Sequence, residues 1–347
     1  MVELCIKENE AGQRLDKYLQ KYMKEAEKNF LYKMLRKKNI VLNGKKAEGN
    51  EKLCTGDAVK LFLSDETIEK FGGRLPGKQC AGRQEQGKTE EYGRAYKRLG
   101  ELKVIFENRH VLIVHKPAGI LAQKAEPGDL SLNEWLVGYL LEKGEVTAEE
   151  LHTFRPSVCN RLDRNTSGMV ICGKTLPGSQ CMGRLLKDRS LHKYYRLYVK
   201  GRVEKASFSE GYLVKDGRTN KARLVRQGEE GAYIRTDYRP LKHFRDMTLV
   251  EAELVTGKPH QLRLQFSGLG HPLLGDYKYG EKDFNDKYRK RYGVRNQLLH
   301  AYRLEFPVME GDFRDLSGLT LVDREPEMFR RIEEGESEGW QHGIPEG

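Results

Sequence analysis

The chain has 347 residues and a formal net charge of +11, with 62 Lys and Arg against 51 Asp and Glu. This length allows two domains, and the charge predicts a polyanionic partner, either nucleic acid or an anionic membrane. Apolar runs such as VLIV at 111–114 are too short to cross a bilayer, and residues 1–16 contain no apolar signal region, so we expect a soluble cytoplasmic protein without a membrane partner.

Residues 11–63 form a compact basic unit with 13 Lys and Arg against 6 Asp and Glu. Apolar side chains recur at helical spacing from Leu15, and a second short helix is predicted from Asn29. Asn43-Gly44 follows an apolar run, which is a strong signal for a tight β-hairpin. This unit therefore predicts a small domain with a positively charged surface, and we assign it residues 1–70.

Residues 71–101 contain many glycines and charges and few apolar side chains, so we predict a flexible linker there. Strand patterns are dense from 103 onward, with helical segments predicted near 131–143, 178–189 and 258–269. These features predict an α+β domain over 102–330. Residues 331–347 have the composition of a frayed acidic tail.

The stretch NRLDRNTSG at 160–168 places Asp163 between Arg161 and Arg164. It fits neither a buried strand nor an amphipathic helix, so we predict a turn before the apolar run MVIC. An aspartate in a turn usually serves as a hydrogen-bonding turn residue. Its alternative role is that of an ionised carboxylate that performs chemistry.

Five stretches together resemble the RluA family of pseudouridine synthases, and they occur in the family's order. They are VLIVHKPAGIL (111–121), NRLDRNTSGMVICGKT (160–175), KYYRLYVKG (193–201), TGKPHQLRLQFSGLGHPLLGDYKYG (256–280) and LLHAYRLEFP (298–307). The resemblance implies a catalytic domain built on a long mixed, mostly antiparallel sheet around a basic cleft. It also implies that uridine in RNA is isomerised to pseudouridine on a base taken out of its stack.

The resemblance assigns roles to individual residues of this chain. Asp163 would be the catalytic carboxylate, and Arg263 would pair with it, since a neighbouring cation favours the charged form of a carboxylate. Tyr195 would stack on the uracil, and Arg161 would fill the space left by the flipped base. Further RNA-contacting candidates in or beside these motifs are Arg164, Lys193 and His260. Two positions depart from the family pattern, because Asn160 replaces a histidine and Lys258 replaces an arginine.

The N-terminal unit resembles the S4 RNA-binding domain through RLDKYL, VLNGKK and GDAVKL. Its basic face predicts contacts with RNA, although such a face can also be only a solvated surface. The candidate RNA-binding lysines of this unit are Lys37, Lys38, Lys45 and Lys46. By analogy, the expected partner is ribosomal RNA or a pre-ribosomal particle, bound by a monomer.

No cofactor is expected, because isomerisation involves no net redox change. No metal is expected either, because the six cysteines form no CxxC pair and His271 with Asp276 lacks a third ligand.

Two alternatives remain at this stage. One is a non-catalytic RNA-binding or ribosome-assembly factor of the same fold, and the other is a glycoside hydrolase, for which a second carboxylate is not evident.

Overall fold

The computed structural model describes residues 1–73, 75, 83–215, 222–225 and 231–341. The strands are Val2–Cys5 (β1), Ile40–Leu42 (β2), Lys45–Lys46 (β3), Ala58–Leu61 (β4), Val104–Glu107 (β5), Val111–Lys116 (β6), Ser157–Val158 (β7), Ser167–Gly173 (β8), His192–Lys200 (β9), Ser207–Lys215 (β10), Ala222–Val225 (β11), Ala232–His243 (β12), Met247–Leu254 (β13), Leu299–Glu305 (β14) and Thr320–Val322 (β15). The α-helices are Leu15–Tyr22 (α1), Lys28–Arg36 (α2), Asp65–Lys70 (α3), Arg83–Leu99 (α4), Leu132–Glu142 (α5), Leu176–Asp188 (α6), Gln261–Gly268 (α7), Lys282–Tyr292 (α8) and Glu327–Gln341 (α9).

The N-terminal unit combines helices α1 to α3 with an antiparallel sheet of order β1-β4-β2-β3. The predicted helices are present, and their apolar faces bury residues such as Leu15 and Leu35 in a core of their own. The predicted hairpin is also present, because Asn43 and Gly44 join β2 to β3 with φ angles of 50° and 71°. Such positive φ angles at both central residues are typical of a type I′ turn.

The remaining strands form a long sheet of order β11-β10-β12-β13-β9-β14-β8-β6-β5, with β15 on β14 and β7 on β8. Every pairing is antiparallel except that of β14 with β8, so the predicted mixed, mostly antiparallel sheet is confirmed. The predicted helical segments in this domain correspond to α5, α6 and α7. Helix α5 packs Trp135 and Leu136 against one face of the sheet, where the largest core cluster also includes Tyr195 and Ala301.

The prediction of a flexible linker over 71–101 is wrong for Arg83–Leu99, which forms helix α4. Tyr92, Ala95, Tyr96 and Leu99 recur at helical spacing, and the first two are buried. This face packs on α5, where Gly138 allows close approach: a Cβ there would lie 2.3 Å from the Tyr92 carbonyl oxygen. Because the segment contains seven glycines, its composition did not indicate this apolar helix face. The rest of the predicted linker includes residues 74 and 76–82, which lie outside the described part of the chain.

The prediction of a frayed tail from 331 is also wrong for the residues up to Gln341, which continue α9. Ile332 is fully buried beside Phe329, and Tyr292 on α8 donates a 2.9 Å hydrogen bond to Glu336. The helix therefore forms because its apolar face has a partner in α8 and the sheet. Residues 342–347 lie outside the described range. Among the helices of the described ranges, none combines the length and apolar character that a bilayer-spanning segment requires.

Candidate active site

Asp163 lies in the loop between β7 and β8, immediately before the turn that starts β8. The Thr166 amide donates a 3.0 Å hydrogen bond to the Asp163 carbonyl oxygen and closes the predicted turn. The Asp163 side chain keeps a quarter of its surface exposed, so it can be reached from solvent. The Asp163 side chain is not needed for the turn, because the backbone carbonyl oxygen of Asp163 makes the turn hydrogen bond.

The side chain of Lys116 stabilises the backbone next to Asp163. Its fully buried ammonium group donates to the carbonyl oxygens of Pro117, Ile120 and Arg164 at 2.9, 2.8 and 3.0 Å. Burial lowers the pKa of Lys116 to about 7, and the charge of Asp163 acts in the opposite direction. These three contacts show that Lys116 has a structural role, because they fix the turn after β6 to the backbone next to Asp163.

Gly168 lets the strand after the loop approach β14 closely. Its φ is 118°, and a Cβ would lie 2.3 Å from the Ala301 carbonyl oxygen. Ala301 pairs with Gly168 on one side and with Tyr195 of β9 on the other. The parallel contact between β8 and β14 therefore brings the Asp163 loop beside the middle of β9.

Arg263 on α7 forms the predicted ion pair with Asp163, with Nη1 3.0 Å from Oδ2. The opposite edge of the guanidinium donates to both carboxylate oxygens of Asp276, at 2.7 and 2.9 Å. Asp276 also accepts from the amides of Lys278 and Tyr279. Burial acts to raise the pKa of Asp276, but these hydrogen bonds and the charge of Arg263 outweigh it and hold the pKa below its usual value.

Asp276 is a second carboxylate near this site, but it lies on the far side of Arg263 from Asp163. A glycosidase general acid needs a protonated carboxyl group that reaches the bond to be broken. Asp276 is 1% exposed and bound by four donors in all, so it has neither property. Asp276 and His271 belong to no group of three potential metal ligands among the described residues.

Tyr195 and Lys193 lie on β9 and project toward the same cleft. Burial first, and then the charge of Asp163, raises the pKa of Tyr195 well above its usual value, so the phenol stays neutral. Lys193 is buried, with its ammonium group 3.3 Å from the Leu191 carbonyl oxygen. His260 precedes α7 with a φ of 58°, and its Nδ1 lies 2.9 Å from the Tyr279 hydroxyl group.

The cleft around Asp163 has a volume of about 1130 Å³ and a basic lining. The cations that line it are Lys124, Arg161, Arg164, Lys187, Arg189, Lys193, Lys258 and Lys278. Asp163 is the one carboxylate among the described residues of the lining, and a smaller hollow beside it is lined by Tyr195, His260 and Arg263. The basic cleft predicted from the sequence is therefore present, and so is the convergence of the five stretches on it.

The two departures from the family pattern have different structural settings. The Asn160 side chain accepts a 2.7 Å hydrogen bond from the Ile171 amide, so it supports the loop and β8. Lys258 is exposed and lines the cleft, where a cation is retained with fewer hydrogen-bond donors than arginine would offer.

Of the predicted RNA-binding lysines, Lys37, Lys38, Lys45 and Lys46 are exposed on the N-terminal unit and are not part of this lining.

The sequence missed the supporting residues Asp276 and Tyr279 as parts of this site. Tyr279 lies beneath the Arg263 guanidinium, whose central carbon is 5.0 Å from the ring centre. Both residues belong to the stretch 256–280, and their place in this stretch could have marked them as candidate site residues. Their contacts with Arg263 depend on how α7 turns back on the following loop, which spacing alone does not specify.

The comparisons with known proteins agree with this geometry. Residues 110–268 match the family model of RNA pseudouridylate synthase. The chain is 29% identical over 309 residues to the ribosomal large subunit pseudouridine synthase C of Haemophilus influenzae, covering 87% of this chain and 86% of that protein. It is 27% identical over 310 residues to the protein of the same name from Escherichia coli, covering 87% and 88%. The comparisons thus identify residues 110–268 as an RNA pseudouridylate synthase domain.

A solved structure supports the fold assignment. Human RNA pseudouridylate synthase domain-containing protein 4 superposes with a TM-score of 0.53 and 21% identity, over 72% of this chain and 96% of that one. The predicted resemblance to pseudouridine synthases is confirmed by the family match and the relatives. The protein is therefore an RNA pseudouridine synthase, and this identity is favoured over a non-catalytic RNA-binding factor of the same fold.

Proposed function

We propose that this enzyme converts specific uridines of large-subunit (23S) ribosomal RNA to pseudouridine. The relatives that align over most of both chains are named ribosomal large subunit pseudouridine synthases, which supports this substrate class. The basic cleft supports it independently, because a lining of lysines and arginines neutralises the phosphates of RNA.

Asp163 is the proposed catalytic carboxylate, and its setting is the observation on which the proposal depends most. It is partly exposed at the floor of a basic cleft, and Arg263 orients it through a 3.0 Å contact. In the reaction the C1′–N1 bond of uridine breaks, the uracil turns, and C5 bonds to C1′, while C5 loses a proton and N1 gains one. A charged carboxylate beside C1′ can serve as a nucleophile or a base in this sequence.

The other cleft residues receive roles that match their positions. Tyr195, neutral and mostly buried, would form the wall against which the flipped uracil stacks. Arg161 and Arg164 are exposed on either side of Asp163, where Arg161 would occupy the space vacated by the base. Lys193 and His260 would contact the phosphate and sugar of the target nucleotide.

The proposed division of labour follows from the separate hydrophobic core of the N-terminal unit. Residues 1–70 would be an S4-like unit that adds RNA affinity through Lys37, Lys38, Lys45 and Lys46, while 102–330 perform the chemistry. We further propose that the enzyme acts as a monomer. A ribosomal substrate further supports a cytoplasmic location.

The decisive experiment maps pseudouridine in ribosomal RNA from cells that lack the gene. One or more large-subunit positions should remain uridine, and the wild-type gene should restore them. Asp163→Asn should not restore them, whereas the matched variant Asp283→Asn, which alters an exposed carboxylate on α8, should. An unchanged pseudouridine map in the deletion strain would contradict the proposed substrate, and transfer RNA from the same cells should then be mapped.

A further inference from the structure

Three potential metal ligands converge on the face of the sheet opposite the cleft. They are His115 at the end of β6, His300 on β14 and Asp323 just after β15. Their nearest ligand atoms all lie within 4.8 Å of one another. His300 and Asp323 are 0% and 1% exposed, while His115 keeps some exposure and leaves a path from solvent. Neighbouring residues of a strand face opposite sides of the sheet. His300 therefore faces this cluster, whereas Ala301 faces the side of the cleft.

His300 is the member of the cluster whose hydrogen bonding is incomplete. Its Nδ1 lies 3.0 Å from the Ser167 hydroxyl, while its Nε2 is buried and has no hydrogen-bond partner among the described residues. Nε2 points toward Asp323 Oδ2 at 3.8 Å, which is too long for a hydrogen bond. If Nδ1 donates its proton to Ser167, a lone pair on Nε2 faces a carboxylate oxygen. A cation between the two atoms would satisfy both.

We propose that His115, His300 and Asp323 form a binding site for one Zn²⁺ ion, completed by water through the exposed side of His115. Two imidazoles and one carboxylate with an open position suit zinc, whereas Mg²⁺ prefers oxygen ligands alone. Tetrahedral zinc places its ligand atoms about 3.3 Å apart, so His300 need approach Asp323 Oδ2 by only a fraction of an ångström. His115, which contacts the same oxygen, would move outward by a larger amount, and its partial exposure leaves room for this movement.

The surroundings of the cluster are compatible with an ion. Lys103 binds the other oxygen of Asp323, Oδ1, at 3.0 Å and leaves Oδ2 to the site. The nearby charge of Arg196 is paired with Glu325. Ser167 would hold the His300 ring in the tautomer that ligates through Nε2, a support that metal-binding histidines commonly have.

The ion would be structural and separate from the reaction. It would join β6, β14 and the segment after β15, directly behind the strands that present Lys116 and Gly168 to the Asp163 loop. Since none of the three ligands lines the cleft, removal of the ion should lower stability without removing a reacting group. No local spacing along the chain indicates such a site, because 185 positions separate the two histidines.

The experiment uses the full chain without a histidine tag, stripped with a chelator and then titrated with ZnCl₂. We expect one equivalent of zinc by elemental analysis after dialysis, a higher melting temperature, and visible d–d absorption when Co²⁺ replaces zinc. Pseudouridine formation at 25 °C should be the same for the stripped and loaded protein. Absence of stoichiometric binding at micromolar zinc would overturn the proposal.

Three single variants make the test specific. His115→Gln changes a partly exposed ligand and His300→Gln a buried one, and each should lose the zinc-dependent rise in melting temperature. His192→Gln is the matched control, because His192 also contacts a carboxylate, Glu253, but belongs to no three-residue group. Zinc binding that survives in both ligand variants, or that disappears equally in the control, would show that the ion binds elsewhere. If His300→Gln does not fold, His115→Gln still decides the question.

Discussion

Arg263 and Asp276 form a two-pronged ion pair in which both edge nitrogens, Nε and Nη2, meet the two carboxylate oxygens at 2.7 and 2.9 Å. This pairing uses the geometry in which a guanidinium is most rigidly held. The remaining nitrogen, Nη1, is thereby fixed in direction and contacts Asp163. Asp163, the proposed catalytic carboxylate, is thus oriented by an arginine that a second, buried carboxylate positions.

Asp163→Asn should abolish activity without unfolding the protein. Asparagine preserves the volume and much of the hydrogen bonding of the turn, but it has no negative charge and cannot act as a nucleophile or a base. Pseudouridine formation should fall by several orders of magnitude, while RNA affinity and the melting temperature stay near the wild-type values. Turnover near the wild-type rate in this folded variant would contradict the assignment.

Arg263→Ala should reduce both activity and stability. It leaves Asp163 and the buried Asp276 without the cation between them, and breaking a buried pair costs about 3–5 kcal/mol. Arg263 holds the pKa of Asp276 below its usual value, so in the variant Asp276 takes up a proton more readily and the loss of stability should deepen toward acidic pH. Melting curves at several pH values, measured beside the pseudouridine yield, test this. Arg263→Lys should recover part of the stability but less of the activity, since lysine cannot bridge both carboxylates with fixed geometry.

Asp276→Asn should change the acid stability of the protein. The pKa of Asp276 is lowered in the fold from its ordinary value of 3.8. A carboxylate of this kind contributes stability above that value, and the contribution is lost as pH falls through the lower folded pKa. The variant should therefore be less stable at neutral pH and show a shallower decline below pH 3.8. Denaturant unfolding at several pH values measures both effects, and an unchanged acid limb would contradict the argument.

Replacement of Lys37, Lys38, Lys45 and Lys46 by glutamine should weaken RNA binding and leave chemistry intact. Each phosphate contact that is lost lowers the salt slope of log K by about 0.7 to 0.9, so four contacts predict a change of about 3. The single-turnover rate at saturating enzyme should not change. Lys97→Gln with Lys205→Gln, which alters two exposed lysines outside the cleft and the N-terminal unit, is the control. An unchanged slope in the quadruple variant would show that these lysines do not contact RNA.

Turnover should persist in the presence of a chelator, provided that RNA folding is controlled with monovalent salt. The isomerisation moves atoms within one nucleotide, and the residues proposed for it include no metal ligand. The measurement is the initial rate at 25 °C with and without EDTA. A rate that falls with EDTA and returns specifically on addition of zinc would contradict this, and it would also contradict a purely structural role for the proposed ion.

Local patterns in the sequence were sufficient where a few neighbouring residues decide the outcome. The Asn43-Gly44 turn, the buried faces of α1 and α2, and the strand starting after Asp163 all follow from side-chain spacing or backbone preference over fewer than ten residues. Asp163 itself was selected by its motif, and the pairing with Arg263 was expected from the resemblance. Composition misled at α4 and α9, because glycines and charges outweighed the few apolar positions that form each buried face.

The sequence by itself therefore determined the family, the secondary structure of the well-patterned segments and the identity of the central carboxylate. Only the tertiary structure decided that Asp276 holds Arg263, that α4 packs against α5, and that His115, His300 and Asp323 meet behind the site. These relationships join residues that are distant along the chain or depend on how loops turn back. Their geometry arises from packing of the whole sheet, and no local periodicity encodes it.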